Sequence, residues 1–286
     1  MDFIKTQQQS YTTAMMCEHL NITRSRFYAW KNCPLGKRKL DEKKLTEDIK
    51  QVFEVSRQTY GSPRVRAALA KRGIRCGRHR VAKLMRKANL RSKVKRRFKV
   101  TTDSKHKLPV AENLLNREFK VAEPNKVWVQ DISYIWTNEG FMYLAVVIDL
   151  FSRKIVGWSM QDNMRKALVM DALDMAFKSR KPEPGLMLHS DRGSQYCSQL
   201  FQAKIQSHGM TCSMSRKGEC WDNAVAESFF HSLKTEHVYL EKFKNREEAS
   251  QSIFEYIEVF YNRQRLHSTL GFCSPVEYEV GIRKVA

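Results

Sequence analysis

Residues 126–151 read KVWVQDISYIWTNEGFMYLAVVIDLF, and the fold turns on them. The first part, KVWVQDISYIW, is rich in β-branched and aromatic residues, the composition of a strand. Side chains alternate across a strand, so Val127, Val129 and Asp131 share one face. Asn138-Glu139-Gly140 is a turn signal. The run after it, FMYLAVVIDLF, is apolar almost throughout, as a central strand covered on both faces would be.

Working outward, KIVGWSM (154–160) is a third strand. RKALVMDALDMAFKS (165–179) is an amphipathic helix with Ala167, Met170, Leu173 and Phe177 on a shared face. Pro182-Glu183-Pro184-Gly185 breaks the chain. LML (186–188) is a short fourth strand that runs into HSDRGSQY (189–196). QLFQAKIQS (199–207) is a helix, TCSMS (211–215) a short strand, and a last helix spans about 223–239. Strands and helices in this order make an α/β domain. It is the order of a ribonuclease H-like core, a mixed sheet flanked by helices in which the first and fourth strands lie side by side. A shared fold does not establish a function, so the residues of the site must carry that.

Three acids qualify. Asp131 is on the first strand, Asp191 follows the fourth, and Glu227 is on the later helix within WDNAVAESFFHSLK (221–234). Between Asp191 and Glu227 lie 35 residues. Glu227 and Lys234 are seven apart, which returns to nearly the same helix face. Val225, Phe229 and Leu233 form an apolar side that points elsewhere. Carboxylates from separate elements suit two magnesium ions, which prefer hard oxygen ligands and activate and stabilise the oxygens of a phosphoryl transfer. Lys234 would hold DNA beside them. Asp149, in an apolar strand, reads as structural, hydrogen-bonded near Ser152 and Arg153, and Asp222 or Asn223 as the cap of the last helix. His189 stays open between a contact to DNA or the metal ligands and a hydrogen-bonded structural histidine.

Charge divides the chain. The net charge is +21. Residues 1–120 hold 31 Lys/Arg against 10 Asp/Glu, and residues 121–286 hold 20 of each. The whole excess lies in the first part, as when one region grips a polyanion. Residues 12–30 read as a helix, a turn and a helix capped by Thr23. A longer helix over 41–58 buries Leu45, Ile49, Val52 and Phe53. Ser62 caps a helix that begins at Pro63 and ends at Gly73, and a further helix spans 78–88. This predicts a helix-turn-helix-like segment (1–40), a second helix-turn-helix DNA-binding module with a basic arm (41–100), a linker (101–120) and a catalytic domain (121–280). Arg78–Lys99 carries eleven Lys/Arg and no acid. Like charges this dense repel unless a partner neutralises them. The candidate DNA contacts are Arg64, Arg78, Arg80, Lys83, Arg86, Lys87, Lys95, Arg96 and Arg97. Arginine and lysine meet phosphates as readily as base edges, so no base contact can be named.

Seven cysteines without a CxxC pair argue against a disulfide framework or zinc finger. The sequence has no apolar run of membrane-helix length, and MDFIKTQQQS, without an apolar stretch, does not read as a secretory signal. The expectation is a cytoplasmic, nucleoid-associated protein.

TYGSPRVRAAL, WVQDISYI, YLAVVIDLFSRKIVGW, HSDRGSQY, CWDNAVAESFFHSLKTE and YNRQRLHSTLGFCSPVEY together resemble the second-open-reading-frame (OrfB-type) transposases of the bacterial insertion sequence 3 family, over about residues 40–280. The resemblance implies the D, D, 35, E catalytic core shared with retroviral integrases, carried over to Asp131, Asp191, Glu227 and Lys234. It implies magnesium, with manganese able to substitute. It also implies hydrolysis at an element end that frees a 3′-hydroxyl, then attack of that hydroxyl on another phosphodiester. Partners would be the terminal inverted repeats, target DNA, further copies of the chain in a dimer or larger assembly, and an upstream-frame helix-turn-helix protein or fusion. The heptad run of that upstream protein and the histidine–cysteine zinc module of retroviral integrases are missing from this sequence, which implies partial activity for this product alone. Alternatives are another integrase or nuclease of the same fold, or a non-catalytic DNA-binding regulator.

Overall fold

The computed structural model describes residues 1–32, 37–94 and 109–283. Strands β1 (Val127–Thr137), β2 (Gly140–Asp149), β3 (Ile155–Gln161), β4 (Met187–Ser190) and β5 (Thr211–Met214) form one sheet of order β3-β2-β1-β4-β5. A two-residue turn joins β1 to β2, with Thr137 opposite Gly140. Gly140 takes φ +104°, which a residue with a Cβ rarely adopts. β3 runs antiparallel to β2, whereas β4 and β5 join parallel to β1. This is the expected ribonuclease H-like arrangement, with the first and fourth strands adjacent. β4 pairs with β1 only over Val127–Gln130. From Asp131 onward β1 has β2 on one side and, among the described residues, no strand on the other.

Strand alternation divides the core. Trp128, Ala145 and Val147 pack beneath α7 (Lys166–Arg180) and α8 (Gln199–Ser207). Val129, Val146 and Ile148 pack beneath α9 (Ala224–Glu236) and α10 (Arg246–Phe254). The buried face of α7 differs from the expected one. It consists of Leu168, Val169, Ala172, Leu173 and Ala176, while Ala167 is exposed. The cause is Gly157 on β3, where a Cβ would stand 2.2 Å from the Ala172 carbonyl oxygen and 2.7 Å from the Ala176 Cβ. The helix presses onto the sheet where both surfaces are small, so its small residues turn inward.

The N-terminal helices α1 (Asp2–Thr6), α2 (Thr13–His19) and α3 (Arg24–Asn32) bury Ile4, Met16, Cys17 and Phe27. The Thr12 and Thr23 hydroxyls accept the amides of Met15 and Arg26, each at 3.4 Å, and start α2 and α3. Helix α4 (Lys37–Val55) buries the expected Leu45, Ile49, Val52 and Phe53, and α5 (Ser62–Lys71) and α6 (Arg78–Lys87) bury Val65, Leu69, Val81, Leu84 and Met85, but Gly61 rather than Ser62 occupies the α5 cap position. Their core is continuous with Phe260, Tyr261 and Leu266 far along the chain. The buried Tyr60 hydroxyl accepts the Leu266 amide at 2.8 Å and donates to the Gln264 carbonyl at 3.3 Å.

The expected linker also departs from its reading. Residues 101–108 lie outside the described residues, but 112–117 dock on β5. The Met214 amide donates to the Glu112 carbonyl at 3.2 Å. The Ser213 hydroxyl accepts the amides of Leu114 and Leu115 at 3.0 and 3.2 Å, and Leu115 is buried. Among the described residues no helix is long and apolar enough to cross a membrane.

Candidate active site

The end of β4 sets the site. Gln130 pairs with Ser190 as the last step of the parallel ladder, so Asp131, further along β1, and Asp191, the first residue beyond β4, both follow it. Glu227 comes from the first turn of α9, which packs on the same side of the sheet through Ala226, Phe229, Phe230 and Leu233. Asp131 and Asp191 are partly buried and Glu227 is exposed. Burial, then the negative charges of Asp191 and Glu227, hold the Asp131 carboxyl well above the usual carboxylate range. The Ile132 amide, donating to Asp131 Oδ1 at 2.8 Å, and the Lys234 ammonium pull the other way. Desolvation raises Glu227 too, although the residue as a whole is exposed. Neither Asp131 nor Glu227 forms an ion pair among the described residues.

The Gly193 amide donates to Asp191 Oδ1 at 2.9 Å and orients it. A Cβ at position 193 would stand 3.0 Å from that oxygen, so the close turn suits glycine. Lys234 extends from α9 over the Tyr134 ring, 4.6 Å from its centre. Burial lowers its pKa and Asp131 raises it again.

One site residue escaped the sequence reading. Tyr196, in HSDRGSQY, is 1% exposed, and its hydroxyl has no hydrogen-bond partner among the described residues. Burial, then the charges of Asp191 and Asp131, raise its pKa well above the usual phenol value, so it stays protonated. A protonated phenol near two carboxylates is a donor awaiting an acceptor. Its nearness to Asp191 in sequence was the only available signal.

Other candidates settle into structural roles. Asp149 is fully buried and accepts the amides of Asn125 and Phe151 at 2.9 and 3.0 Å and the Arg180 guanidinium at 3.3 Å. It is structural as expected, but Ser152 bonds Glu279 instead. Asp222 does not cap α9. Asn223 occupies that position without a side-chain cap bond. Asp222 accepts Arg216 Nη2 at 2.9 Å, Arg117 Nε at 2.6 Å and Asn113 Nδ2 at 2.8 Å. The Arg216 bonds in particular hold its carboxyl well below the usual range. His189 is buried between the hydroxyls of Ser213 (2.9 Å) and Ser215 (3.2 Å), and burial lowers its pKa to about 4. It is a neutral, hydrogen-bonded core histidine.

The proposed DNA contacts divide in the same way. Arg78, Arg80, Lys83, Arg86 and Lys87 are exposed on α6, with Lys87 ion-paired to Glu42 of α4. Arg64 is turned inward, its Nη1 3.3 Å from Glu236 in a buried network, which removes it from the basic surface. Lys95, Arg96 and Arg97 lie outside the described residues.

For a metal, the test is the donor set. Among the described residues no group of three or more His, Cys, Asp or Glu side chains closes into a metal-holding cluster. Yet Asp131 feels the charge of both other acids, all donors are hard oxygens, and an orphaned phenol stands beside them. Magnesium retains waters and takes substrate oxygens, so it does not need a closed protein cage. The residues fit a hard divalent cation.

Comparison with known proteins places these features in context. Integrase core domain models match residues 121–220 and 227–280, and an HTH-like domain model matches residues 39–98. The insertion element IS600 uncharacterized 31 kDa protein of Shigella sonnei is 45% identical over 271 residues, covering 95% of this chain and 100% of that protein. Transposase InsF for insertion sequence IS3A of Escherichia coli K12 is 42% identical over 279 residues, covering 97% of each. Among solved structures, the HTLV-2 integrase catalytic core domain in complex with magnesium is similar at 15% identity and TM-score 0.39, over 55% of this chain and 97% of that one.

Proposed function

The chain belongs to the insertion sequence 3 transposase family, and on that premise we propose that Asp131, Asp191 and Glu227 are the acids with which it cuts and joins DNA. The transposase relatives and the integrase core make it a polynucleotidyl transferase that acts on DNA. The observation that carries the residue assignment is electrostatic. Asp131 and Asp191 both follow the last β1–β4 pair, the charges of Asp191 and Glu227 act on the Asp131 carboxyl, and Asp131 and Glu227 form no ion pair among the described residues.

The same three carboxylates would hold magnesium, or manganese in its place, which supplies a nucleophilic water or hydroxyl and stabilises the leaving oxygen of a phosphodiester. Each residue contributes in a distinct way. Gly193 fixes the rotamer of Asp191 through its amide. Tyr196 offers a proton donor to an oxygen bound beside Asp131 and Asp191. Lys234, poised between Tyr134 and Asp131, neutralises a DNA phosphate next to the acids. Arg78, Arg80, Lys83, Arg86 and Lys87 hold the duplex backbone, which adds affinity by counterion release. Hydrolysis would leave a 3′-hydroxyl that attacks a second phosphodiester, so each bond broken in the second step is balanced by the one formed.

Asp131→Asn, Asp191→Asn and Glu227→Gln should each lower cleavage of a duplex carrying the element's terminal repeats by on the order of a thousandfold. Binding of the same duplex should not change. Wild-type-like cleavage in any one variant removes that residue from the site.

A further inference from the structure

Lys234 belongs to two places. Its ammonium acts on Asp131, and its side chain lines an open groove of about 500 Å³. The groove follows the part of β1 beyond Asp131 that β4 does not cover. Tyr134, Trp136 and Tyr239 line it and are 38%, 60% and 60% exposed. Phe141, also exposed, meets Tyr134 and Trp136 edge-on at 5.3 and 4.9 Å and braces both rings. Lys242 adds a second cation to the lining and Glu241 one acid.

Large rings left in water forgo the stabilisation that burial would give, so a cluster of them marks a surface that something covers. The centre of a protein–protein patch is depleted of charge, and here two lysines stand among the rings. Exposed aromatic faces with cations beside them make a platform for unpaired nucleic acid, in which bases stack and ammonium groups meet phosphates. The position supplies the strand, because the groove begins at the lysine next to the acids.

We propose that this groove takes unpaired nucleotides of the DNA end being processed, stacked on Trp136 and Tyr239, with Lys234 and Lys242 on the flanking phosphates. The proposal rests on the reading of Asp131, Asp191 and Glu227 as the cleaving site. It means that the protein favours ends whose terminal pairs have opened, and that opening helps bring the scissile phosphate to the acids.

The test is equilibrium binding of the full chain, in EDTA, to two labelled duplexes of one sequence: one fully paired, the other mismatched at its terminal pairs. Wild type should bind the mismatched duplex more tightly. Trp136→Ala and Tyr239→Ala should each weaken that binding by roughly tenfold and leave the paired duplex unaffected, while Trp136→Phe retains the preference. Both side chains are exposed, and circular dichroism checks that the variants fold. No preference in wild type, or equal losses on both duplexes, overturns the proposal. So does a fall in molecular mass of Trp136→Ala with DNA binding unchanged, which would assign the face to contact between copies. EDTA separates the two readings. A preference for open ends without cleavage in magnesium would sink the assignment of the acids and leave the groove standing.

Discussion

Helix α9 carries two glutamates in opposite states. Glu236, at its end, is 4% exposed and receives two Arg265 nitrogens at 2.7 Å, the Tyr256 hydroxyl at 3.2 Å and Arg64 at 3.3 Å. Burial pushes its pKa up, but Arg265 and Arg64 more than offset that, and the carboxyl ends below its usual range. Glu227, in the first turn, has no ion pair among the described residues and is raised. Asp131 is raised much further. The same contrast separates Asp222 and Glu279, both matched by arginines and lowered, from the site. Among the described residues the structural acids are ion-paired with arginine, although burial still raises Asp149 beside Arg180, whereas Asp131 and Glu227 form no ion pair. Unmatched charge costs stability, so its persistence beside the end of β4 is what the proposed cation site would require.

The comparison breaks most visibly at Glu236. Glu236→Gln leaves Arg265 buried against a neutral partner and should cost about 3–5 kcal/mol in urea denaturation at neutral pH. Because folding lowers the pKa of Glu236, its stabilisation is present above the unfolded-state value and lost as pH falls through the folded one. The gap between wild type and variant should therefore narrow below about pH 4. A gap that widens in acid would mean that Glu236 is not held as an anion.

The arginines allow a finer cut. Arg80→Ala and Lys83→Ala should each reduce the salt slope of duplex binding by about 0.9, the value of one phosphate contact. Arg64→Ala should leave the slope unchanged and lower the melting temperature, because Arg64 serves Glu236. A slope that falls with Arg64→Ala would return that residue to the DNA-facing surface.

How much of this was legible in sequence depended on how local the cause was. The strands and the hairpin at Gly140 came from turn signals and alternation, and the adjacency of β1 and β4 came from the likeness of their order to a ribonuclease H-like core. The buried face of α4 was visible in its periodicity. The face of α7 was not, because Gly157 on another element decides it. Arg64 looked like its basic neighbours because its partner Glu236 lies 172 residues away. Residues 112–117 looked like linker because their polar composition hides a dock on Ser213 and Asp222. Tyr196 and the rings along β1 carry no pattern that separates a site from a core or a surface. Helix α1 was too short for periodicity to register.

The central claim is that Asp131 and Glu227 are acids for which a bound cation supplies the partner, and thermal unfolding of wild type and Asp131→Asn, with and without magnesium, tests it most directly. Folding raises the Asp131 pKa, so without metal wild type should lose stability as pH rises from about 4 through the folded value, and the variant should not. At neutral pH the metal-free variant should then melt higher than wild type, and magnesium should stabilise wild type far more than the variant. A variant that melts lower without metal, and gains as much from magnesium as wild type does, would contradict the account.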